Sequence, residues 1–124
     1  MPTITVDTSV DDPALRKSFT KNISLWLRTQ DVDINHVITR FSHPRDGELF
    51  SGPFPLTPDF AFVRLTVDRS RTEVFREEFA LRVVRELGPR IAPERVFVQF
   101  DLVDPRLHLT GAALVATTGG AVRD

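Results

Sequence analysis

The chain has 124 residues, a formal net charge of -1, 41% hydrophobic and 27% charged residues, which suits one soluble domain and is short for two. With 16 basic against 17 acidic side chains there is no overall field to draw it to nucleic acid or an anionic membrane, and neither is expected as a partner. The absence of Cys excludes a disulfide framework, a thiolate nucleophile and cysteine-ligated zinc. No apolar run approaches the roughly 18 residues of a membrane span, and the start lacks the basic and apolar stretches of a signal peptide, so a cytoplasmic location is expected.

In chain order, Thr3 to Thr8 alternates, with Ile4 and Val6 on one face and Thr5 and Asp7 on the other, as a half-buried strand does. Asp12 and Pro13 then open a helix: the carboxylate accepts orphan N–H groups, and the proline ring sits where no N–H is needed. Leu15, Phe19, Ile23, Trp26 and Leu27 form its apolar stripe, and it should end near Gln30. A second strand is predicted over Asn35 to Ser42, followed by a Pro- and Gly-rich loop from His43 to Pro58 with a short ribbon at Glu48 to Ser51.

Asp59 to Asp68 is the third strand, with Phe60 and Phe62 on one face and Val63, Leu65 and Val67 on the other, so burial on both sides is expected. Ser70 and Glu73 read as a capping box for a second helix with Phe75, Phe79, Val83, Val84 and Leu87 on its stripe, stopped by Gly88 and Pro89. Ile91 to Glu94 is a return into a fourth strand, Arg95 to Val103, and Ala112 to Thr117 is a candidate edge strand.

The halves repeat at a spacing of about 60 residues: Ile4-Thr5-Val6-Asp7 matches Leu65-Thr66-Val67-Asp68, Arg16 and Phe19 match Arg76 and Phe79, and Val37 and Phe41 match Val96 and Phe100. The expected fold is α+β, tandem βαβ repeats forming a four-stranded mixed sheet with two helices on one face. Repeat one covers about 2–43, a linker loop 44–58, repeat two 59–111 and a tail 112–124 of one domain. The uncovered sheet face needs a partner, and oligomerisation supplies one.

Met1-Pro2 leading into a strand, the tandem units, Asp68-Arg69-Ser70-Arg71-Thr72 and the run Ile91-Ala92-Pro93-Glu94-Arg95-Val96-Phe97-Val98 resemble the tautomerase superfamily over about residues 2–111. The likeness is to its longer branch, that of macrophage migration inhibitory factor and its bacterial relatives. It implies a homotrimer, no cofactor, and an active site around an amino-terminal proline that acts on a small carboxylate-bearing substrate.

The residues support a chemical reading of their own. Once Met1 is removed, Pro2 is a secondary amine at a strand start, where a missing N–H costs no ladder bond. An α-amino group ordinarily titrates near 8, and desolvation lowers that, which raises the neutral, basic fraction at pH 7. The alternative is that Pro2 simply starts an edge strand, and if Met1 is retained its nitrogen is an amide with no basic lone pair. Arg69 and Arg71 flank Ser70 at a strand-to-helix junction, where two guanidinium groups can converge on one carboxylate; the alternative is a solvated pair neutralised by Asp68, Glu73 or Glu77.

The Arg-x-Arg is similar to the substrate-binding arginines of the malonate semialdehyde decarboxylase branch, and Arg71 also to one in the cis-3-chloroacrylic acid dehalogenase branch. Asn35 stands near the decarboxylase branch's catalytic aspartate, with Asp33 two positions earlier, and Phe97 and Gln99 take the places of a tyrosine and an asparagine in the macrophage factor. Gln99 has an amide that can donate to a substrate oxygen, and Phe97 offers an apolar wall; inner-sheet packing accounts for both equally well. Lacking any Tyr, the chain has no donor for tyrosine-assisted water addition. His36, His43 and His108 are spread too widely for a zinc site, and no metal is expected. The activity that the resemblance implies is keto-enol or double-bond isomerisation of a 2-oxo or enol acid. Decarboxylation of a β-keto acid, with Asp33 or another carboxylate assisting, or a non-catalytic binding role on the same scaffold are the alternatives.

Overall fold

The two long helices follow from local chemistry. In the computed structural model, which describes residues 2–118, β1 (Thr3–Thr8) leads into α1 (Pro13–Thr29). The Asp12 carboxylate accepts from the Ala14 N–H at 2.9 Å, with Pro13 in the first turn. All five residues of its predicted stripe, Leu15, Phe19, Ile23, Trp26 and Leu27, are buried. The helix closes with the Val32 N–H donating to the Leu27 carbonyl at 3.2 Å while Asp31 takes a left-handed φ of 59°. This is a Schellman-type stop in which an aspartate stands where glycine is commonest.

Three sequence expectations are corrected at turns. Asn35 does not open the second strand: the Asp33 carboxylate accepts from the Asn35 N–H at 3.0 Å and winds Ile34–His36 into a 3-10 turn, so β2 is Ile38–Ser42. The expected ribbon is a hairpin of β3 (Phe50–Ser51) and β4 (Phe54–Pro55), turned at Gly52 with φ 58°. After β5 (Ala61–Asp68), the cap of α2 (Glu73–Leu87) is Thr72, whose hydroxyl accepts from the Phe75 N–H, rather than Ser70. Asp68 captures the Ser70 N–H at 2.9 Å and the Arg71 N–H at 3.1 Å, and that turn delays the helix.

A 3-10 turn at Pro93–Arg95 leads into β6 (Val96–Val103), and another at Pro105–Leu107 follows it. The candidate edge strand is a helix, α3 (Gly111–Thr118). Alanine favours helix, and the Thr110 hydroxyl caps the Ala113 N–H at 3.0 Å. No α3 residue is buried. Met1 and residues 119–124 of the expected tail lie outside the described residues.

The four-stranded sheet has the order β2-β1-β5-β6, with β1 parallel to β2, β5 parallel to β6, and the two units joined antiparallel through β1 and β5. Ile4, Val6, Ala61, Val63, Leu65 and Val67 pack under α1 and α2. Both helices cover this one face, so the expectation that β5 is buried on two sides fails within one chain: Phe62 is 37% exposed and its register partner Phe97 43%. These rings stack with centroids 4.7 Å apart. Among the described residues no helix is long and apolar enough to cross a membrane.

Candidate active site

Pro2 is buried at the head of β1, on the helix side of the sheet by the same parity as Ile4 and Val6. Its carbonyl accepts from the Ile38 N–H at 3.4 Å, tying residue 2 to the edge strand. Beside it lies a cleft of about 160 Å³ lined by Pro2, Asp31, Val32, Asp33, His36, Val67, Asp68 and Arg71. The α1 stop supplies Asp31 to Asp33, the 3-10 turn supplies His36, and the end of β5 with its turn supplies the rest.

Arg71 is the cation of the cleft. One Nη donates to the Gln30 carbonyl at 2.8 Å, and the guanidinium lies 5.1 Å from the Phe75 ring centroid. Among the described residues it has no carboxylate within 4.0 Å. Arg69 goes elsewhere: its guanidinium is 67% exposed, 3.7 Å from Asp104, and does not border the cleft. Hydrogen bonds from Arg106 hold the Asp104 carboxyl below the usual carboxylate range. The two arginines therefore diverge in this chain.

Asn35 is exposed and also off the cleft, whereas Asp33 borders it with His36, their carboxylate and Nε2 3.9 Å apart. Phe97 and Gln99 lie on the open sheet face, lining a larger depression of about 570 Å³ with Asp7, Phe62 and Arg64. A site with Pro2, Phe97 and Gln99 around one ligand does not form within one chain. Strand parity decides this, because odd-numbered residues of β6 face away from the helices. Asp31 and the cleft position of Asp68 were missed by sequence reasoning; the only local signal for Asp31 was its place directly after the helix end. Among the described residues, no three His, Asp or Glu side chains are grouped as metal ligands.

Neither a family model nor a curated protein matches the sequence. Solved structures do match in shape. Pt0534 inactivated by 2-oxo-3-pentynoate superimposes with a TM-score of 0.79 at 12% identity, covering 96% of this chain and 99% of that one. FG41 malonate semialdehyde decarboxylase inhibited by 3-bromopropiolate gives 0.72 at 14%, covering 98% and 99%. A fused 4-OT symmetric trimer gives 0.77 at 7%, covering 89% and 94%. The fold is that of the tautomerase superfamily. In this tautomerase fold the buried residue 2, one arginine, one histidine and three carboxylates share a small cleft, a set of groups that can exchange protons.

Proposed function

We propose that the chain is a cofactor-independent tautomerase-type enzyme in which the Pro2 nitrogen, freed by removal of Met1, moves a proton on a small 2-oxo or enol carboxylic acid. Arg71 grips the carboxylate. The amine lone pair takes a proton from carbon or from an enol oxygen, the electrons relocate along the C–C–O frame, and the prolinium returns the proton at the other end. The observation that carries this is the shared cleft, lined both by buried Pro2 and by Arg71, whose guanidinium has no carboxylate within 4.0 Å among the described residues.

A second reading has its own support. Asp31, Asp33 and Asp68 around residue 2 favour a protonated nitrogen, since nearby negative charge stabilises the cation. Protonated Pro2 with Arg71 would then polarise a β-keto acid for loss of carbon dioxide, with Asp33 assisting, the type of reaction named for the FG41 relative in shape. The pH profile separates the two. A basic nitrogen is active when neutral, so ketonisation of an enol-pyruvate should rise in kcat/KM with pH through the amine titration. An acidic one is active when protonated, so carbon dioxide release should fall through it. A falling profile with no Pro2-dependent ketonisation would overturn the first reading.

A homotrimer is part of the proposal. The stacked Phe62 and Phe97 on an open sheet face, and the symmetric trimer formed by the 4-OT relative in shape, support it. Phe97→Asp buries a charge in that contact, and light scattering should show a fall in mass toward one chain; an unchanged trimer would place the interface elsewhere.

A further inference from the structure

Arg71 stands between two depressions. On one side is the Pro2 cleft; on the other is a hollow of about 260 Å³ bordered by Gln30, Asp68, Ser70, Thr72 and Phe75. What keeps a flexible arginine at this partition is a pair of contacts from facing helix ends. The Gln30 carbonyl, at the C-cap of α1, takes one of its five N–H donors, and the Phe75 ring, in the first turn of α2, takes one face of the plane.

The Phe75 ring is itself fixed. Its residue is 4% exposed, the Thr72 cap holds its N–H at 3.2 Å, and Trp26 backs the ring with centroids 5.3 Å apart. Arg82 lies over Trp26 at 5.4 Å, so a column of cation, ring, ring and cation crosses from α2 to α1 and back.

The geometry points to Phe75 as a positioning residue that, from the hollow side, fixes the Arg71 guanidinium at the border it shares with the Pro2 cleft. This rests on the reading of Arg71 as carboxylate anchor and adds to it the residue that makes the anchor productive. Without the ring, the hollow widens and the guanidinium loses one of its two restraints, so the fraction of chains presenting it to a substrate falls. Weaker binding with unchanged chemistry at residue 2 is the consequence.

The probe is 2-oxo-3-pentynoate, the inactivator of Pt0534. A neutral Pro2 amine adds to its conjugated alkyne: an N–C bond forms, the triple bond becomes double, the nitrogen's proton passes to carbon, and nothing leaves. Inactivation half-saturation (KI) reports grip on the carboxylate, and the limiting rate (kinact) reports the amine. Phe75→Leu should raise KI by about 3- to 10-fold with kinact unchanged, and Phe75→Tyr, which keeps a ring, should restore it. In an Arg71→Ala background, Phe75→Leu should add nothing, which a general loss of packing would not reproduce. If thermal melting shows Phe75→Leu unfolded, Phe75→Met, similar in volume and without a π face, is read by the same criteria. An unchanged KI in the folded variant, or full additivity with Arg71→Ala, overturns the role of Phe75. Absence of a Pro2 adduct, or an Arg71→Ala variant with unchanged KI, overturns instead the reading of the site on which it rests.

Discussion

Pro2→Ala is expected to lower kcat by about 100-fold, and a chain that keeps Met1 by about 10,000-fold, the two ends of the range for losing a positioned general acid or base. The difference has a chemical origin. Alanine still offers an α-amino group but gives up the ring that fixes it at the head of β1, whereas behind an uncleaved methionine the residue 2 nitrogen is an amide with no basic lone pair. Its surroundings would stay as they are, because residue 2 is anchored through its carbonyl to Ile38 and not through its nitrogen. Intact mass fixes the state of the amino terminus, and turnover of an enol-pyruvate by fractions of each mass reads the effect. Equal turnover with and without Met1 would remove the nitrogen from the reaction and leave a binding role for the cleft.

Phe79→Ala should cost about 3–5 kcal/mol of stability, the usual price of an aromatic deleted from a packed core. Phe79 is fully buried at the centre of α2, its ring 6.1 Å from Trp26 and 5.8 Å from Phe100, so it joins both helices to β6. The two neighbouring rings stand on two different elements, α1 and β6, so closing the void would require both to shift. For a domain of this length the loss corresponds to a fall of roughly 10–25 °C in melting midpoint. Urea denaturation gives the free energy directly; a change below about 1 kcal/mol would mean that the site collapses freely.

Much of the secondary structure was legible because its signals are local. Asp12 followed by Pro13 marked the start of α1, five apolar residues at helical spacing marked its buried stripe, and alternation marked β1. Misreadings cluster at turns, where side chains compete for the same N–H groups. Ser70 and Glu73 satisfy a capping pattern, yet Asp68 reaches the Ser70 N–H first and the helix waits for Thr72. Asp33 likewise claims Asn35 for a 3-10 turn and withholds it from β2. Ala112 to Thr117 was apolar and short, and with no flanking signal to separate strand from helix, alanine's preference and the Thr110 cap decided it.

The candidate site divides in the same way. Sequence alone determined which residues carry useful chemistry, an imino acid at position 2 and arginines near an acidic turn, and which face of each strand they occupy, since parity and helical spacing are properties of the local chain. It had no means of determining which faces meet. Pairing β1 antiparallel with β5 brings Pro2 to Asp68 and Arg71, helix packing brings Asp31, Asp33 and His36 against them, and the same sheet sends Phe97 and Gln99 to its opposite side. Those meetings depend on contacts between residues about 30 to 100 positions apart, fixed by the burial of a common core, and such burial exists only once the chain has folded.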